Sequence, residues 1–104
     1  MAQFDVHQNT DLASQEIVPF LLDVQHSLHQ SLVTRTVVPL LRPYILSQNM
    51  VKLCPILTID GGKYIMGTPE LAGYPVRDLG PKITNLSDER LTILNAIDFL
   101  LTGF

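Results

Sequence analysis

Between Ser87 and Phe104 the apolar residues Ile93, Leu94, Ala96, Ile97, Leu100, Leu101 and Phe104 share one broad arc of a helical wheel. Asp88, Thr92, Asn95, Asp98 and Thr102 occupy the other, so the segment reads as an amphipathic helix. Leu91 and Phe99 interrupt the polar arc. Ser87 suits an N-cap, Asp88 and Glu89 suit the positive end of the helix dipole, and Leu86 and Leu91 have hydrophobic-staple spacing. The segment finishes at Thr102-Gly103-Phe104 without a trailing polar tail, which predicts an end either docked on the protein or displayed to a partner.

Upstream, the pattern is that of short strands. Gln3 to His7 alternates polar and apolar, which predicts a strand with one buried face, and the polar stretch Gln8 to Glu16 predicts a loop. Ile17 to Gln25 and Arg35 to Leu41 are β-compatible, and their prolines, Pro19 and Pro39, predict exposed or bent edges. Leu40 to Val51 reads as a connection. Cys54 to Ile59 and Lys63 to Met66 flank Asp60-Gly61-Gly62, the strongest hairpin signal in the chain. Tyr74 to Leu79 reads as one further strand closed by Gly80-Pro81. Close-spaced strands followed by one helix predict a mainly β fold, a small barrel or strongly bent antiparallel sheet with a C-terminal α-helix. Repeats, low-complexity tracts and linkers are absent from residues 1–104, which read as a single domain.

Composition sharpens this. The 104 residues are 46% hydrophobic but only 16% charged, against roughly 25% charged in an average soluble domain. A domain of this size has much surface per unit volume, so low charge predicts that part of the surface is covered by another protomer, and a homodimer is expected. The net charge of −3, with no Lys/Arg cluster, argues against nucleic acid as a direct partner. The lone Cys54 cannot form an internal disulfide, which suits a reducing cytoplasm. No signal-peptide pattern or long apolar run is present, so neither export nor a membrane span is expected.

Candidate chemistry is sparse. His26 and His29 lie three apart with only His7 besides them, which predicts loop histidines rather than a metal site. Cys54 precedes Pro55 at the start of an apolar strand and reads as a buried small side chain. Gly61-Gly62-Lys63 lacks the remaining residues of a phosphate loop and is explained by the hairpin. Asp23, Arg35 and Asp98 are charges flanked by apolar residues, a pattern that favours buried or interfacial ion pairs. With no nucleophile, base, metal set or cofactor motif, binding rather than catalysis is the expected activity.

Gln3-Phe4, Asp23-Val24-Gln25, the run from Thr34 to Leu40, Leu53-Cys54-Pro55, Tyr74-Pro75-Val76 and the run from Asn95 to Phe104 together resemble the CcdB family of toxins. The resemblance is collinear and spans nearly the whole chain. It implies an SH3-like barrel of the CcdB, Kid and MazF kind, and a homodimeric toxin of a toxin–antitoxin pair that poisons DNA gyrase. Such a toxin performs no chemistry itself: it inserts into the dimerisation region of the gyrase A subunit, trapping the enzyme on cleaved DNA. The resemblance also implies a CcdA-like antitoxin that neutralises the toxin and joins it in repressing their operon, so operator DNA is reached only through the antitoxin. Carried over by position, the gyrase contacts implied are Asp98, Leu101, Thr102, Gly103 and Phe104, with a second patch at Leu28 and His29. Phe104 would be a large apolar anchor, although its place on the apolar arc is equally compatible with folding back. Two departures stand out. Thr102 replaces the tryptophan of the best-known form, and His29 replaces an aliphatic residue. The Gln8 to Glu16 loop and the Arg42 to Met50 connection are the expected antitoxin surfaces. Two alternatives stay open: an endoribonuclease on the same barrel, using Arg35, Thr36 or the His26/His29 pair, and a non-toxic homologue that binds only the antitoxin.

Overall fold

The computed structural model describes residues 1–43 and 50–103. Seven strands form one antiparallel sheet: β1 (Asp5–Gln8), β2 (Phe20–Asp23), β3 (Thr34–Leu41), β4 (Ile56–Ile59), β5 (Gly62–Met66), β6 (Ala72–Pro75) and β7 (Lys82–Asn85). The order is β4-β5-β3-β2-β1-β7, with β6 also paired to β3. An α-helix, α1 (Arg90–Thr102), follows the last strand. The sheet curls into a half-barrel around a core drawn from both ends of the chain: Phe4, Val6, Leu22, Val38, Leu40, Leu57, Ile59, Met66, Ile93 and Ala96 are among its buried members.

Strand periodicity explains how the core is assigned. Val6 opposes Leu22, and Leu22 opposes Val38, so the middle of one face of three neighbouring strands is apolar. The opposite face carries Asp5, His7, Asp23 and Arg35, all of them buried too. Burial on both faces is what a curled sheet imposes on its central strands, and it explains why the simple one-sided alternation expected for β1 is only half the pattern.

The hairpin forms as its residues require. Asp60 and Gly61 both have positive φ, +50° and +83°, and Ile59 faces Gly62 across the two-residue turn. Four expectations need correction. Pro39 lies not on an edge but inside β3, which has β2 along one side and β6 and then β5 along the other. It falls where the partner changes from β6 to β5, so its missing N–H interrupts no continuous ladder, and its carbonyl accepts from the Gly67 N–H at 2.8 Å. Tyr74 to Leu79 is not one strand: after Pro75 the chain enters a 3-10 turn, Val76–Asp78, closed by the Leu79 N–H on the Val76 carbonyl. β7 is an additional strand rather than a correction: it has one apolar residue, Ile83, and no strand signal of its own, and it exists because β1 pairs with it. β1 starts at Asp5 rather than Gln3 because Phe4 adopts φ +71° while its ring is buried, turning the chain into the sheet.

The fourth correction concerns the start of the helix. Ser87 does not cap α1: Ser87–Glu89 is a 3-10 turn that leads into it. The cap-like group is Asn85, whose Oδ1 accepts the Ser87 N–H at 2.8 Å while its Nδ2 donates to Asp5 Oδ1 at 2.8 Å and to the Gln3 carbonyl at 3.1 Å. Leu86 is buried but Leu91 is 74% exposed, so the expected staple does not form. Asp5 thus joins the N-terminal segment, β7 and the helix start. Burial pushes its carboxyl pKa up, but hydrogen bonds from Asn85 and the Ala2 N–H, with the Lys82 ammonium at 3.3 Å, outweigh that and hold it below its ordinary value. A depressed folded pKa means that the ionised form is favoured by folding. This contribution is therefore complete above the unfolded value and is lost as pH falls through the folded one, below about pH 4. Denaturant titrations across that range are expected to show a steeper acid loss of stability in the native protein than in Asp5→Asn.

Candidate functional site

The end of α1 is built from a seated part and a displayed part. Ile93 and Ala96 are fully buried, and Leu94 and Ile97 pack half-buried against the core. The helix also packs on the 3-10 turn Thr68–Glu70. Beyond Ile97 the burial fades: Asp98 is exposed, Phe99 half-buried, and Leu101 is 75% exposed although periodicity places it on the apolar arc. The last turn extends past the final residue that reaches the core, so the wheel alone misplaces Leu101. The Thr102 hydroxyl donates to the Asp98 carbonyl at 2.7 Å, and the Gly103 N–H donates to the Phe99 carbonyl at 2.9 Å. Gly103 stops the helix at φ +79°, a conformation that costs a residue with a Cβ. A Cβ there would meet nothing within 4 Å, so within the chain glycine is needed for its backbone and not for space. Phe104 lies outside the described residues.

Leu28 and His29 sit on a second displayed element, the 3-10 turn Ser27–His29. Leu28 is 79% exposed. The turn is held at both ends. His26 Nδ1 accepts the Leu28 N–H at 3.0 Å, and the Gln25 side-chain amide donates to the His29 carbonyl at 2.8 Å. Gln25 is itself fixed, its Oε1 accepting the Thr36 N–H at 2.9 Å and its carbonyl accepting from Arg35 Nη2 at 3.1 Å. Arg35 in turn donates from Nε to Asp23 Oδ2 at 2.7 Å, a pair that is 1% and 0% exposed. Among the described residues no hydrogen bond or ion pair joins this turn to α1.

The same geometry shows how several of the candidate residues are engaged. Arg35 is sealed in the sheet and spent on Asp23 and Gln25, out of reach of a phosphate. The expected ion pair is therefore present for Asp23 and Arg35, whereas Asp98 is exposed and takes part in no salt bridge among the described residues. His26 serves its own turn through Nδ1. Cys54 is buried, and burial pushes its thiol pKa up, with the Thr68 N–H offsetting only part of this, so it stays a neutral and poorly nucleophilic thiol. Among the described residues no group of three or more His, Cys, Asp or Glu could hold a metal ion, and no helix is long and apolar enough to cross a membrane.

Two grooves lie elsewhere on the surface of the described residues. One, of about 740 Å³, is lined by Met1, Leu32, Val33, Pro75, Val76 and Arg77 among others. The other, of about 460 Å³, brings together Gln8, Asn9, Gln15 and Glu16 with Arg42, whose Nε donates to the Glu16 carbonyl at 2.6 Å. The remote loop segments singled out as antitoxin surfaces thus meet at Arg42, although residues 44–49 of the second lie outside the described residues. Sequence reading missed Gln25 and Asn85, the two amides that brace the turn and the helix start; Gln25 was visible only as part of the Asp23-Val24-Gln25 run.

A curled antiparallel sheet closed by a C-terminal helix is the fold expected of the family that the sequence resembles. The family model for CcdB protein matches residues 3–103, and the chain belongs to the CcdB family.

Proposed function

We propose that this toxin of a toxin–antitoxin module acts as a DNA gyrase poison that binds the dimerisation region of the gyrase A subunit, holding the enzyme on cleaved DNA. The observation that carries the reading is the end of α1: Leu101, Thr102 and Gly103 are exposed and make no contact that the protomer's core requires. Leu101 supplies apolar area, Gly103 a left-handed stop to the helix, and Thr102 a small polar group where a tryptophan would otherwise anchor. Asp98 and Phe104 complete this contact, and Leu28 and His29 form the second. A homodimer would present each element twice about a two-fold axis, so modest contacts add.

Neutralisation is assigned to a CcdA-like antitoxin seated at the groove between the Gln8 to Glu16 loop and Arg42. The toxin reaches operator DNA only through that antitoxin, and the pair represses its own operon in the cytoplasm. A chain of net charge −3 suits a partner carrying basic residues. Sealing of Arg35 speaks against the endoribonuclease alternative.

The test combines purified protein with the gyrase of its own host, ATP and supercoiled plasmid, with RNA in a parallel reaction. Linear plasmid released by detergent and protease is the expected product. RNA fragments without linear plasmid would overturn the reading in favour of the nuclease. Inactivity in both, with antitoxin still bound, would show a homologue that has lost its target.

A further inference from the structure

Lys52 stands in the turn before Cys54, and its ammonium lies 4.6 Å from the centroid of the Phe99 ring. Phe99 is one of the two residues that break the polar arc of α1, and it is half-buried where its arc would leave it bare. Its position is decisive for the helix end, because it is the last half-buried residue before the displayed turn, and its carbonyl receives the Gly103 N–H. The helix has no basic residue in its last turn to offset the negative end of its dipole, and Asp98 adds to the negative charge there. Lys52 brings a cation to this region from outside the helix. The turn that carries it is closed by the N–H of buried Cys54, which donates to the Met50 carbonyl at 2.6 Å.

We propose that Lys52 is a positioning residue for the helix end, fixing through the Phe99 ring the direction in which Leu101, Thr102 and Gly103 leave the fold. The consequence for target binding rests on the reading of that end as the gyrase contact; the positioning itself does not. An exposed cation–π pair of this kind corresponds to about a two- to fivefold effect on a binding constant.

The test has two parts, each on the full chain. In the first, ¹⁵N relaxation of the Leu101, Thr102 and Gly103 amides is compared between the native protein, Lys52→Met and Lys52→Arg. Lys52→Met is expected to raise their mobility while the rest of α1 is unchanged, and Lys52→Arg to keep the native values. Unchanged amides in Lys52→Met would overturn the proposal whatever gyrase does. In the second, affinity for the gyrase A dimerisation region is measured for native protein, Lys52→Met, Phe99→Leu and the double variant. Lys52→Met is expected to cost about two- to fivefold in the native background and nothing further in Phe99→Leu. An equal loss in both backgrounds would place Lys52 in direct contact with gyrase and overturn its action through Phe99. Loosened amides in Lys52→Met, together with a native protein that fails to bind gyrase, would leave the positioning standing and refute the gyrase reading alone.

Discussion

Arg35→Met is expected to be the most destabilising single substitution of an ionisable residue, lowering stability by about 3–5 kcal/mol and the thermal midpoint by at least about 12 °C. The Arg35 side chain is 1% exposed, and its Nε meets Asp23 Oδ2 at 2.7 Å. Removing the guanidinium leaves the Asp23 carboxylate at 0% exposure, with the Gln25 N–H on its other oxygen as the remaining hydrogen-bond donor. Water cannot replace the lost charge without opening the sheet, so the cost is that of an uncompensated buried anion rather than of a broken surface pair. The pair is not thereby a large net stabiliser. Among the described residues Arg35 Nη1 is buried without a hydrogen-bond partner, so desolvation is only partly repaid. Hence Asp23→Leu combined with Arg35→Met should be less damaging than Arg35→Met alone. Calorimetry on the single and double variants checks both statements, and a double variant as unstable as the single would show that geometry, not charge, is at stake. Because Arg35 Nη2 also holds the Gln25 carbonyl, the single variant should in addition loosen the Ser27–His29 turn.

How much of this was legible in the chain follows from the range of the interactions involved. The Asp60-Gly61 hairpin and the core of β3 were readable because turn chemistry and β-branched density act between neighbours. The seated face of α1 was readable from Ile93, Ala96 and Ile97 for the same reason. β7 was not, because Lys82-Ile83-Thr84-Asn85 becomes a strand only beside β1, at the far end of the chain. Pro39 misled because edge and interior differ by which strand lies alongside, a property of topology rather than of proline. At the site, Leu28 and the helix end were reached through family resemblance, and exposure then distinguished Leu101 from the seated positions of its arc. Gln25, Asn85 and Lys52 escaped because amides and lysines signal nothing until the group they touch is known.

Deleting Gly103 and Phe104 is expected to separate folding from function: at least about a hundredfold loss of gyrase poisoning, with stability changed by no more than about 1 kcal/mol. The structural half of this rests on what Gly103 does in the fold. Its N–H donates to the Phe99 carbonyl at the exposed end of a helix whose anchoring residues, Ile93 and Ala96, lie about two to three turns earlier. Terminal turns fray at little cost, so their removal leaves the core intact. The functional half rests on how few large anchors the proposed contact holds. With Thr102 where the family's best-known form has tryptophan, apolar area at the proposed contact comes from Leu101 and Phe104. Losing Phe104 removes the larger of the two, and losing Gly103 removes the left-handed stop that sets the backbone's exit. A paired substitution sharpens the test. Gly103→Ala keeps every side chain of the contact but strains a φ of +79°, so it should weaken poisoning while the truncation abolishes it. The measurement is linear plasmid formed per gyrase at fixed toxin concentration, alongside the thermal midpoint of each variant. A truncated protein that poisons as well as the native one would move the gyrase contact away from the helix end, to Leu28 and His29 or to another surface. A truncated protein that unfolds would instead show that the displayed residues are structural.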